Sequence, residues 1–228
     1  MKLEEYISIL KPEVEKMFES DKSGHDTSHL KRTMHNALLL QKHVGGDEII
    51  VGIAAYLHDV HRIMQQHLGR YVSPKESLPT IEKMLAKTNL TKEQTNQILH
   101  CIEMHEVYNW HDQTNKEENI ETLILQDADN LDAIGAVGVI RAFNYGAANN
   151  IPFFDEKIPI KTADDYQEKH GNEESTIHHF YHKLFKLGKN MNTKYAKHIA
   201  KKRIKFMKKF VKQLLLSLIH ISEPTRLQ

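Results

Sequence analysis

Cysteine occurs once, at Cys101, so no disulfide framework organises this chain. No stretch approaches the roughly 20 consecutive apolar residues that a membrane span requires. The opening residues, Met1-Lys2-Leu3-Glu4-Glu5, lack an apolar signal core, and together with the single cysteine they predict a cytoplasmic protein. Glycine and proline are scarce, 10 and 6 in 228 residues, and no alternating run is long enough to demand a strand. Net charge is only +1, which gives no global case for a nucleic-acid partner. Hydrophobic residues make up 40% and charged residues 27%, a balance that suits a soluble globular protein with a real core. The residue in excess is histidine: there are 16, about three times the usual share. They are dispersed rather than gathered in a tract, so a purification tag does not account for them.

Helical spacing dominates. Leu3, Ile7, Leu10, Val14 and Phe18 predict a first helix over 3–19, followed by a break at 20–24. Asp26, Thr27 and Ser28 each offer an N-cap to a second helix, which carries His29 in its first turn and ends at Gly45-Gly46. Asp47 caps a third, whose apolar side of Ile49, Ile50, Ile53, Ala54 and Leu57 leads to His58-Asp59. The polar segment 61–72 reads as a loop or short helix over that point, with His61 and His67 at its entrance. Capping boxes at Ser73–Glu76 and Thr91–Gln94 start two more helices, the second running to His105. A polar and aromatic excursion over 107–119 precedes one long helix from about Asn119 to Ala142. A long loop over 143–174 and helices at 175–189 and 193–215 complete a single domain, residues 1–215. Lys194, Lys197, Lys201, Lys205, Lys208 and Lys212 form one stripe on the last helix, a solvated face that could also attract an anion. Residues 216–228 do not continue the amphipathic pattern and read as a non-native or disordered tail.

Two places carry chemistry. Neighbouring His and Asp side chains diverge within a helix, but at a helix end the backbone can turn and aim both at one point. His58-Asp59 stands at such an end and offers nitrogen and oxygen donors to a divalent metal. Later, Asp127, Asp129 and Asp132 fall between Leu123-Ile124-Leu125 and Ile134. Acids buried in an apolar helix ask for a cation, while a solvated face is the alternative for this segment taken alone.

Together the pieces resemble the HD superfamily of metal-dependent phosphohydrolases. They are His25-Asp26-x-x-His29-x-x-Arg32, then Leu57-His58-Asp59, then Asp127-Ala128-Asp129-Asn130-Leu131-Asp132-Ala133-Ile134-Gly135, with further similarity to about residue 212. The resemblance implies an all-α bundle with a central metal held by His29, His58, Asp59 and Asp129. It places Asp127 and Asp132 behind the ligands. It leaves Mn²⁺, Mg²⁺, Fe²⁺, Co²⁺, Ni²⁺ or Zn²⁺ open, since N/O donors do not separate them. It implies hydrolysis of a small phosphorylated substrate, a nucleotide above all, with Asp59, His105 and Arg62 at the reacting centre. Some nucleotide-cleaving relatives carry a Glu where this chain has Arg62; metal-bound hydroxide acting alone, or assistance from Asp132 or Glu103, would stand in for that carboxylate, and Arg62 reads as a phosphate contact or a surface arginine. Lys31, Arg32 and Arg70 are weaker phosphate contacts. His178 and His182 read as structural. His105 is expected to face the substrate as hydrogen-bond donor or acid beside a single ion, because the only other histidine between it and Asp129 is His111. The glycine-tyrosine-proline signature of cyclic-dinucleotide phosphodiesterases is absent. Alternatives are a metal-containing regulatory or RNA/anion-binding protein without turnover, or a di-iron oxygenase of the same superfamily.

Overall fold

The most apolar segment of the chain becomes its central helix. In the computed structural model, which describes residues 1–19, 21, 24–107, 119–157 and 175–222, every residue from Ile50 to Val60 is buried. A helix hydrophobic all round has to be enclosed by others. Helix α1 (Leu3–Phe18), α2 (Thr27–Val44), and further along the chain α6 (Lys92–Met104) and α7 (Ile120–Asp132) pack around α3 (Glu48–Leu57). Between α3 and α6 lie α4 (Val60–Leu68) and α5 (Pro74–Leu85). No strand occurs among the described residues, and no helix there is long and apolar enough to cross a membrane.

Local caps set the helix starts. Of the three offered to α2, Asp26 is used: its carboxylate accepts the His29 N–H at 2.9 Å, which fixes His29 in the first turn with its ring inward. Asp47 accepts the N–H groups of Ile49 and Ile50. Ser73 with Glu76 and Thr91 with Gln94 close reciprocal capping boxes on α5 and α6. Segment 61–72 is helical over most of its length as α4, which ends on a left-handed Gly69.

The single long helix expected over 119–142 is two. Helix α7 stops at Asp132, and α8 (Gly135–Ala148) starts after a turn through Ala133 and Ile134. Gly135 has φ +84°, a conformation that side chains resist, and a Cβ there would lie 3.1 Å from the Arg203 stem. Apolar Ala133 and Ile134 hide this break from a periodicity reading. The turn brings α8 back, so that Arg141 reaches Asp132 at 2.9 Å. Residues 143–148, expected to begin a loop, extend α8; residues 158–174 of that loop and 108–118 of the earlier excursion lie outside the described residues.

Helix α9 (Thr176–His179), a π-helical turn (Phe180–Leu184) and α10 (Phe185–Leu187) lead to α11 (Lys194–Ser222), which passes position 215 without a break. Its six stripe lysines are exposed. Leu214 and Leu215 pack partly against the core, whereas Leu216 is 41% exposed. Deleting residues 216–228 is therefore expected to leave the melting temperature unchanged; a fall of several degrees in thermal denaturation would show that the segment packs natively.

Candidate metal centre

The centre begins at the junction of α3 and α4. His58 keeps helical dihedrals, while Asp59 sits at φ −93°, ψ 12°, the sparsely populated bridge between helix and strand conformations. This kink lets two adjacent side chains face one point. Opposite them stand His29 from the first turn of α2 and Asp129 from α7.

Hydrogen bonds fix which nitrogen of each ring is bare. His58 Nδ1 lies 2.9 Å from the Ala55 carbonyl, which only accepts, so the proton of the neutral ring is on Nδ1. His29 Nδ1 donates to Asp132 Oδ2 at 2.8 Å. Burial pushes Asp132 up, but the bonds from His29 and Arg32 win and hold it down to about 2, so it is a carboxylate and acts as acceptor. Both Nε2 atoms therefore turn lone pairs inward, 3.2 Å apart. His29 Nε2 is 3.1 Å from Asp59 Oδ2 and 3.5 Å from Asp129 Oδ1. His58 Nε2 is 3.5 and 3.7 Å from the same two atoms.

Four acceptors thus converge in a space where His29 and His58 are wholly buried. The electrostatics ask for positive charge. Burial works to lower the His58 pKa, yet Asp59 and Asp129 raise it to about 9. Burial likewise opposes ionisation of both aspartates, yet the histidines hold Asp59 and Asp129 below the usual carboxylate range. Among the described residues, His29, His58 and Asp129 form one group that could hold a metal ion and His25, His29 and Asp59 an adjoining one, and such nitrogen and oxygen donors suit a divalent ion.

Asp132 is the anchor behind His29. It also accepts from Arg32 Nε (2.8 Å) and Nη2 (3.0 Å) and from Arg141 Nη1 (2.9 Å). This is the arrangement by which an outer carboxylate orients a ligand histidine. Asp127 plays a different part. It accepts the N–H groups of Asn192 and Thr193 and joins α7 to the start of α11. Burial raises its pKa to about 6 against those bonds.

Four side chains mark the solvent side, each about a quarter exposed: His25, Arg62, Glu106 and Asp129. His25 Nδ1 lies 2.8 Å from Asp59 Oδ2. Arg62 pairs with Glu106, and its buried Nε has no hydrogen-bond partner among the described residues. Other expectations change. Glu103 pairs with Lys75 at 2.9 Å, and Asp132 is taken by the side chains of three donors, so neither is free to activate water. Arg32 is committed to Asp132, Lys31 to Glu15 and Arg70 to Glu76. His105 donates Nδ1–H to the Ile102 carbonyl at 2.6 Å, and burial lowers its pKa to about 4. It presents an acceptor at neutral pH, so the donor or acid role expected of it gives way. His61 is wholly buried, not at an entrance. His178 Nδ1 pairs with Ser175 at 2.7 Å at the start of α9.

Sequence reasoning assigned His25, Glu106 and Arg141 no role. His25 had a signal, its place just before the α2 cap. Glu106 and Arg141 had none, since their partners lie far away in the chain or across an unforeseen turn.

Fold and site define a helical bundle closed around a His, His-Asp, Asp donor set. The chain belongs to the HD superfamily: the HD domain family model matches residues 27–134. It is 30% identical over 201 residues to the protein YpgQ of Bacillus subtilis (strain 168), covering 88% of each. A crystal structure of an HD-superfamily hydrolase from Bacillus thuringiensis superposes with TM-score 0.71 at 30% identity, covering 95% of this chain and 98% of that one. The crystal structure of Bacillus subtilis YpgQ in complex with ADP gives TM-score 0.66 at 28% identity over 89% and 94% of the two chains.

Proposed function

We propose that this chain is a metal-dependent phosphohydrolase that cleaves a phosphate ester or anhydride of a small substrate, a nucleotide above all. The observation that carries the reading is the convergence of four acceptor atoms from His29, His58, Asp59 and Asp129, with five separations between 3.1 and 3.7 Å. These residues would hold the ion. When bound, a divalent ion there supplies Lewis acidity, making water a stronger acid and offsetting charge on a phosphoryl oxygen.

The remaining work falls to the chain. Asp132 holds His29 in the tautomer that leaves Nε2 bare. Asp59 is fixed by His25 as well as by the α3–α4 kink. Arg62 offers a buried Nε–H without a partner among the described residues, and a phosphoryl oxygen is the acceptor it suits. A nucleotide is favoured by the complex of the similar YpgQ with ADP.

The test is a screen of purified protein against nucleoside mono-, di- and triphosphates and simple phosphomonoesters, each with single added divalent metals. Release of phosphate or pyrophosphate from nucleotides, lost on chelation and restored by metal, is the expected result. Full activity in the presence of a chelator would overturn the metal mechanism. Metal binding without turnover of any substrate would favour a regulatory protein.

A further inference from the structure

The net charge of +1 conceals a division along the chain. Residues 1–174 hold 18 Lys and Arg against 29 Asp and Glu, while residues 175–222 hold 12 Lys and Arg and no acid. On α11, Lys202 and Lys209 join the six stripe lysines, and all eight are exposed. Exposed lysines elsewhere find carboxylates: Lys31 pairs with Glu15, Lys75 with Glu103 and Lys87 with Glu13. Among the described residues no α11 lysine is in such a pair. From Lys194 to Lys212 the helix carries this charge over about 27 Å, at 1.5 Å per residue.

Aromatic rings interleave with the charge. Tyr195, Lys202, Phe206 and Lys209 follow at steps of seven, four and three, so they share a stripe beside the lysines. Phe206 is 48% exposed, although a ring of its size gains by burial. Tyr195, half-buried, stacks on His43 at the end of α2 with 3.7 Å between ring centroids. It stands in an open groove of about 600 Å³ bordered by Asn192, Lys194 and His198. Tyr195 and Phe206 are three helical turns apart, about 16 Å.

We propose that this face of α11 binds single-stranded nucleic acid without regard to sequence, with its lysines on phosphates and Phe206 and Tyr195 against bases. A basic track with aromatic platforms is the arrangement that a single strand requires, since every base has a π-face to stack. Lysine is a point charge without a fixed fork, so it accepts phosphates in many orientations. A duplex keeps its base faces stacked and leaves the two rings unused. A lipid surface takes up an amphipathic helix by its apolar side, but that side of α11, with Ala196, Ala200, Met207 and Val211, is buried in the bundle. The proposal is independent of the metal centre and would stand if that centre failed.

The test is fluorescence anisotropy of the intact protein with a labelled oligouridylate of about 20 nucleotides, long enough to cover the helix, across a salt series. Binding is expected, with log affinity falling against log salt by about 0.7 per phosphate engaged. Lys201→Gln, Lys205→Gln and Lys209→Gln combined are expected to flatten that slope by about 2. Phe206→Leu keeps an apolar side chain without a flat ring, and is expected to weaken binding about fivefold or more at unchanged slope. Lys92→Gln, exposed on α6, should alter neither. Circular dichroism verifies folding, and if Phe206→Leu does not fold the lysine variant carries the comparison. No binding at low salt would overturn the proposal, as would equal affinity for the strand, its duplex and polyglutamate. Tighter binding to phosphatidylserine-containing vesicles than to the strand, with Phe206→Leu unimpaired, would make the face a membrane surface and overturn it as well.

Discussion

His58→Ala and Asp59→Ala are each expected to remove metal binding and hydrolysis together. Each deletes one of the four inward acceptors, and Asp59 is also the residue that His25 grips. Lewis-acid stabilisation of phosphoryl transfer is worth several kcal/mol. Since 1.36 kcal/mol is tenfold in rate, turnover should fall by about 10³-fold or more. Stability should move as well. Removing the His58 ring strips Asp129 of the group that does most to hold its pKa down, and removing Asp59 leaves the His58 ring facing one acid instead of two. Truncating one partner of a buried charged set costs roughly 3–5 kcal/mol. Calorimetric metal titration beside steady-state hydrolysis reads the loss of binding and of turnover, and thermal denaturation reads the stability. Wild-type turnover in either variant would remove the centre from the mechanism.

Asp132→Asn should have the next largest effect, although Asp132 is not among the inward donors. Its carboxylate takes four hydrogen bonds, from His29, Arg32 twice and Arg141, and its side chain is 3% exposed. Asparagine has a similar shape but no charge, and turns an NH₂ group toward two guanidinium groups. The amide can also donate to His29 Nδ1, which would move the ring proton to Nε2, into the metal position. Loss of an outer partner of this kind typically lowers metal affinity about 10–100-fold. The two arginines left without a counter-charge should cost about 3 kcal/mol, the low end for a buried pair because Arg32 is partly solvated. Metal titration and urea denaturation measure the two. Glu103→Gln, at the surface with Lys75, serves as the control in which neither changes. Unaltered affinity in Asp132→Asn would mean that Asp132 braces the fold without setting the His29 tautomer.

The helices that start at Asp26, Asp47, Ser73 and Thr91 were legible because a capping side chain acts over three or four residues, a range that sequence displays. The all-α class was legible because apolar spacing held throughout. So was the place of His58-Asp59 at a helix end, since a kink there needs no partner to be foreseen. The α7–α8 turn was hidden by Ala133 and Ile134, which satisfy helical spacing while leaving it to Gly135 to reverse the chain. Segment 61–72 looked solvent-facing because it is polar, yet His61 is polar on the inside. Nothing near Arg62 in the sequence announces its ion pair, because its partner, Glu106, is 44 positions away. Charge pairing at that range belongs to tertiary structure, and composition carries no trace of it.

His29 and Asp132 are 103 positions apart in the chain, yet in contact. Viewed as chain statistics, the centre is a clasp that closes a loop reaching from α2 to the end of α7. Contacts of such span form late in folding, because the closure entropy comes before the reward. A partly made chain exposes His29, His58 and Asp59 without Asp129 and Asp132, a poor trap for a cation. An ion held as proposed would therefore be captured only once α7 has been made, with α8 to α11 still to follow.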